Sequence, residues 1–266
     1  MSFEITLEII LNIIQIFILI GIIIIAARSM LSDRTGLVGA LFTFAMISLV
    51  LMDIYWVAYD VLRPDLRMPF TGDEIAGSAT ILLLAAALLS LLPKDRKLDL
   101  KAAILTFLFV TANIVLWIAW SGEWGQDIVF GLPYYYYMYI VLIGNRHFEV
   151  FDKKESRIAI IVCMVIIALH FSVLASEGTL QKSLDLITYI VMIVSVLLFF
   201  VKNILIMKEN KPAKAVCASF GLYFYTVMIS YMSGGIYYDI ATVFYTLSLP
   251  LMLISVKKEI TRSDLC

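Results

Sequence analysis

Residues 36–61 read GLVGALFTFAMISLVLMDIYWVAYDV, an apolar stretch interrupted by the carboxylates Asp53 and Asp60. It exceeds the roughly 20 residues that a helix needs to cross the hydrocarbon core of a bilayer. Asp53 lies roughly 12 Å below the nearer end of this span at a rise of about 1.5 Å per residue. A carboxylate at that depth costs roughly 2.5–3.5 kcal/mol on insertion scales, so it normally has a partner, a proton or a task.

The same apolar pattern recurs along the chain. Of its 266 residues, 62% are hydrophobic and 15% charged, with a mean hydropathy of +0.97. Soluble domains run nearer 45–50% apolar and about 25% charged. The runs predict nine membrane-spanning helices, over residues 9–27, 36–61, 73–92, 102–120, 127–143, 158–175, 183–201, 215–231 and 236–256. The expected fold is an all-α, polytopic integral membrane bundle, with residues 1–266 forming a single transmembrane domain.

Positive charge predicts the orientation, because Lys and Arg favour the cytoplasmic side. With the N-terminus outside, the inner segments hold 17 of the 20 Lys and Arg residues. Arg63, Arg67 and Lys182 alone fall outside. Adding or dropping a span scrambles this alternation, so the C-terminus is expected in the cytoplasm. The expected location is a cell membrane, the bacterial cytoplasmic membrane in the first instance.

The first residues, Met1-Ser2-Phe3-Glu4, carry no cation, and Arg28 follows the first span. That suits an anchor with an exported N-terminus better than a removable signal. Cys163, Cys217 and Cys266 all fall toward the inner side, where no structural disulfide is expected. Thr71-Gly72-Asp73-Glu74 matches a capping box for the third helix. Pro64 and Pro69 keep the preceding loop out of helix. Ser233-Gly234-Gly235 predicts a tight turn that makes spans eight and nine a hairpin.

Polar residues inside the spans are expected to collect toward the outer side. Asn12 and Gln15 share a face of span one. Asp53, Trp56 and Asp60 share a face of span two by helical spacing. Asn113 sits at a similar depth in span four, His170 and Asp185 in the outer turns of spans six and seven, and Tyr237, Tyr238 and Asp239 open span nine. Fewer polar groups are expected in the inner half.

This pattern predicts an outward-facing pocket between spans two, three, four and nine. Asp53 is expected to contact the ligand, with Asn113 as its hydrogen-bonding neighbour. Trp56, Tyr59 and Asp60 form the entrance, Trp117 a wall and Asp239 part of the rim. Tyr134, Tyr137 and Tyr225 are further wall candidates. Carboxylates among aromatic faces suit a small cationic or amphipathic ligand. Simpler explanations stand beside each feature. Trp and Tyr collect at membrane interfaces, and Tyr134–Tyr137 sweep around a helix and cannot share one pocket. Asp60, Arg63, Asp65 and Arg67 can pair in a solvated loop, and Asp73 and Glu74 can serve as caps. Asp53 itself can be a structural hydrogen-bond acceptor.

With two histidines, His147 and His170, no multi-histidine haem or zinc site is expected. No phosphate-binding loop or hydrolase elbow is present, and Asp53 and Asp60 are too far apart to share a proton. No catalytic residue, metal or cofactor is therefore expected. The leading functional reading is a ligand-binding sensory or receptor-like module in the lipid bilayer. The ten residues after Val256 leave any signal to a cytoplasmic protein partner at the basic inner loops, and no nucleic acid is involved. The alternatives are a small secondary transporter for a cation or amphipathic amine, and a structural or assembly protein.

Overall fold

A computed structural model describes residues 3–30, 36–62, 72–95, 98–121, 124–231 and 236–263, which are predominantly helical and contain no strand. In chain order the helices are α1 (Phe3–Met30), α2 (Leu37–Leu62), α3 (Gly72–Ser90), α4 (Leu100–Ser121), α5 (Trp124–His147), α6 (Lys153–Leu174), α7 (Gly178–Lys208), α8 (Pro212–Tyr231) and α9 (Ile236–Ser263). Each is long and apolar enough to cross a membrane, which fits a multi-pass membrane protein. Several outrun the apolar windows that predicted them. α7 reaches 31 residues because polar residues at both ends continue its hydrogen-bond ladder. Helix formation needs backbone pairing, and only burial in lipid needs apolar side chains.

Most consecutive helices pack against each other, the exceptions being α3 with α4 and α5 with α6. Thr80 Oγ1 on α3 donates to the Ala45 carbonyl of α2 at 3.3 Å. Ser219 and Ser255 pair at 2.7 Å between α8 and α9. Contacts between neighbours run in a circuit through α1, α2, α3, α5, α4, α6, α7, α9 and back to α1. α8 lies within it, touching α3, α5, α7 and α9. Its residues from Ala215 to Phe224 are buried without a break. α6 and α7 are the most exposed along their apolar faces.

The two ends of the bundle differ in charge. At one, here the basic end, lie Arg28, Lys94, Lys101, Arg146, Lys153, Lys154, Arg157, Lys202, Lys208, Lys211, Lys214, Lys257 and Lys258. At the other, the acidic end, Lys182 is the one cation among the described residues, against Glu8, Asp73, Glu74, Asp127, Glu177, Asp185 and Asp239.

Side-chain caps organise the basic end. Asp152 Oδ1 accepts from the Lys154 and Glu155 amides at 2.7 Å each, and Glu155 Oε2 accepts from the Asp152 amide at 2.9 Å. This capping box satisfies donors that the first turn of α6 otherwise leaves open. The other Glu155 oxygen takes Lys202 Nζ at 2.6 Å, tying the start of α6 to the end of α7. Asp99 plays the same part for α4: it accepts from the Ala102 amide at 3.1 Å and pairs with Arg146 of α5. The capping box expected at Thr71 and the turn expected at Ser233-Gly234-Gly235 lie outside the described residues, as do Arg63, Pro64, Asp65, Arg67 and Pro69.

Candidate functional site at the acidic end

Asp53 is 4% exposed on α2. Its Oδ2 accepts from Gln15 Nε2 of α1 at 2.7 Å, and Gln15 Oε1 accepts from Thr246 Oγ1 of α9 at 2.7 Å. Both ends of the Gln15 amide are thus committed: oxygen toward a hydroxyl donor, nitrogen toward a carboxylate acceptor. Sequence spacing alone puts Gln15 beside Asn12 on one face of α1, and the packing of α1 between α2 and α9 turns that face inward. A hydrogen bond to a charged group contributes about 1.5–3 kcal/mol, comparable with the insertion cost of the carboxylate.

Asp53 and Gln15 belong to the wall of a cavity of about 430 Å³ at the acidic end. α1, α2, α3, α4, α5, α8 and α9 contribute residues, and α6 and α7 none. Leu49, Ile81, Tyr223 and Tyr245 lie deepest, while Asp73, Glu74 and Asp127, in the first turns of α3 and α5, lie at the helix ends. Gly77 belongs to the wall where α3 passes α2. A Cβ there would sit 3.1 Å from Met52 Sδ, so this approach requires glycine or a shift of Met52.

One side of the cavity is an aromatic cluster. The Trp117 ring centroid is 6.1 Å from that of Phe130, 6.0 Å from Tyr134 and 5.7 Å from Tyr231. Phe130 and Tyr231 meet edge to face at 5.4 Å. Such pairs hold one another in fixed orientation beyond what area burial contributes. Asp53, Asp73, Glu74 and Asp127 are its acids, and no Lys or Arg stands among the described lining residues. Chemically, the arrangement offers anionic acceptors framed by π faces, a set suited to positive charge.

The residues singled out from sequence separate into two groups. Asp53, Trp56 and Trp117 come together in the cavity wall, as does Tyr134. Tyr59 stacks on Tyr55 with centroids 6.4 Å apart and is outside the described lining. Asp239 is buried near the start of α9 and is likewise outside it. The Asp60 side chain lies outside the described residues. Asn113 is fully buried and donates to the Phe109 carbonyl of its own helix at 2.7 Å. The neighbour hydrogen-bonded to Asp53 is therefore Gln15 and not Asn113. Equal depth was the sole basis for pairing Asp53 with Asn113, and depth says nothing about which way a helix is turned.

The other wall candidates have different work. Tyr137 donates to the Phe220 carbonyl at 3.0 Å, and Tyr225 pairs with Ser195 of α7. Tyr135 pairs with Thr111 and Tyr136 is exposed, while Tyr134 and Tyr137 both pack on Phe224, so the four consecutive tyrosines do not share one pocket. His170 and Asp185 lie on α6 and α7, away from this wall. Residues that the sequence reading left out include Phe130, Tyr231, Tyr223 and Tyr245. They are ordinary apolar-stretch aromatics, and nothing local distinguishes them from packing residues.

The basic half holds more buried polarity than expected. Ser219, Ser248, Ser255 and Asn203 are all fully buried there or near mid-helix. Each hydroxyl lies within hydrogen-bond distance of a carbonyl three residues earlier in its own helix. That self-satisfaction is why serines pass unnoticed in an apolar run. No protein-family model, curated protein or solved structure matches the chain.

Proposed function

We propose that the chain is a membrane-embedded binding protein for a small organic cation, sensory or receptor-like in role, with its cavity opening on the external face. The observation that carries this reading is the cavity itself: four carboxylates, an aromatic cluster and no described cationic lining residue around about 430 Å³. Cytoplasmic placement of the basic end supports the outward direction, since cations favour that side of a membrane. The deep position of Asp53 supports recognition of charge, because an anion removed from water attracts a cation more strongly than one in solvent. Signal output then goes to a partner protein at the basic end.

Binding of 2-phenylethylamine to the purified, detergent-solubilised protein tests the reading by calorimetry. Saturable binding is expected, weakened at least tenfold in Asp53→Asn, while uncharged 2-phenylethanol binds far less. Equal binding to Asp53→Asn, or an effect of that substitution on stability alone, overturns it in favour of a structural role.

One observation favours a second reading, transport. Past the cavity floor, buried hydroxyls continue along α8 and α9, ending in the Ser219–Ser255 pair. Pro250 also removes an amide donor from α9 and frees the Thr246 carbonyl beside the Gln15 contact. Proteoliposomes decide between the two. Uptake of labelled 2-phenylethylamine above that of protein-free vesicles, lost in Asp53→Asn, establishes transport, whereas binding without flux leaves the receptor reading.

A further inference from the structure

The cavity wall holds a second kind of polar group besides its carboxylates. Asn12 Nδ2, Trp56 Nε1 and Trp117 Nε1 are buried nitrogen donors with no hydrogen-bond partner among the described residues, and all three residues line the cavity. On the same wall Asp73 Oδ1 is a buried acceptor without a partner among the described residues. Asn12 is 6% exposed and Asp73 7%. Buried polar groups are almost always paired, and each left unpaired costs about 1–3 kcal/mol. Their clustering around one cavity is a pattern that a ligand of matching chemistry would complete.

We infer that the ligand is a cation with N–H donors that also carries a neutral oxygen acceptor: an amino alcohol, amino amide or amino ester. This deepens the proposed cation-binding reading and rests on it. The ammonium supplies donors to Asp53 and to the open Asp73 oxygen, which a quaternary ammonium cannot do. The hydroxyl or carbonyl oxygen accepts from the indole and amide N–H groups. An anionic acceptor is disfavoured, because a ligand carboxylate would enter a space with four protein carboxylates and no described Lys or Arg. A bare alkylammonium satisfies the acids and leaves the three donors open.

Four compounds sharing one phenyl body separate these cases in the full-length, solubilised protein: phenylalaninol, phenylalaninamide, 2-phenylethylamine and phenylalanine. Phenylalaninol and phenylalaninamide are expected to bind roughly fivefold to tenfold more tightly than 2-phenylethylamine, the margin of about one neutral hydrogen bond. Phenylalanine, a zwitterion, is expected to bind more weakly than 2-phenylethylamine. Combining Asn12→Leu, Trp56→Phe and Trp117→Phe should bring the affinities for phenylalaninol and 2-phenylethylamine together, whatever loss the altered wall imposes on both, with circular dichroism reporting that the variant is folded. Should that variant not fold, the ranking in the unsubstituted protein still decides.

Equal affinity for phenylalaninol and 2-phenylethylamine, both dependent on Asp53, overturns this inference and leaves the cation reading standing. Preference for phenylalanine overturns the inference too. Binding of none of the four to folded protein overturns both.

Discussion

Gln15 on α1 donates to Asp53 on α2 across 2.7 Å, and its other end is held by Thr246 on α9. One amide thus joins three helices at the carboxylate of α2 that lies before its final turn. Removing that amide and removing the charge it serves should have different consequences.

Gln15→Leu leaves the carboxylate buried without its donor. We expect a loss of about 1.5–3 kcal/mol, the range for hydrogen bonds to charged groups. Asp53→Asn keeps an acceptor oxygen for Gln15 and should change stability by less than about 1 kcal/mol while weakening cation binding at least tenfold. Denaturation in a matched detergent, measured beside calorimetry, checks both. Similar stability losses in the two variants would refute the assignment.

Gly144 lies where α5 passes close to α8 in the basic half. A Cβ at this position would lie 2.8 Å from Cys217 Sγ and 3.5 Å from Leu88. Gly144→Ala is therefore expected to destabilise by about 1–3 kcal/mol through overpacking. Adding Cys217→Ala removes the clashing sulfur and should restore much of the loss, a coupling visible in a double-mutant cycle. Additive effects would show that the helices do not meet there.

The Ser219–Ser255 pair at 2.7 Å is buried between α8 and α9. Intramembrane hydrogen bonds measured by double-mutant cycles average about 0.6 kcal/mol. A cycle of Ser219→Ala and Ser255→Ala should give a coupling of that order. A value indistinguishable from zero would mean that each hydroxyl serves only its own backbone.

Acid should loosen the caps at the basic end. The Glu155 amide, together with the Lys154 amide and nearby Lys202, holds the Asp152 carboxyl below its usual 3.8 against the opposing effect of desolvation. For Asp99, desolvation pushes upward most strongly of any single influence. The Ala102 amide and the charge and hydrogen bonding of Arg146 together outweigh it and leave the group below 3.8. A depressed folded-state pKa means stability that is present above the unfolded value and lost as pH falls through the folded one. Amide exchange over residues 98–105 and 150–158 should therefore accelerate relative to the bundle interior as pH drops below about 3.8. Asp99→Asn and Asp152→Asn should flatten that acid dependence in their own segments.

Sequence by itself determined the helices. Length and apolar content mark nine segments because a bilayer-crossing backbone must pair within each segment, a local requirement. Asp53 was legible for the same reason: a carboxylate in an apolar run is conspicuous without any neighbour. The capping box at Asp152 and Glu155 is equally local in sequence, an acid followed three residues later by Glu. Tertiary structure alone decided which faces meet. Asp53 finds Gln15, 38 positions away, and Gln15 finds Thr246 across 231 positions. Tyr231, Phe130 and Trp117 become one cluster only because α4, α5 and α8 converge. Helical spacing sets the relative angle of side chains within a helix, whereas the rotation of each helix about its own axis is set by packing against its neighbours. That rotation separates Asn113, turned onto its own backbone, from Gln15, turned onto the buried acid.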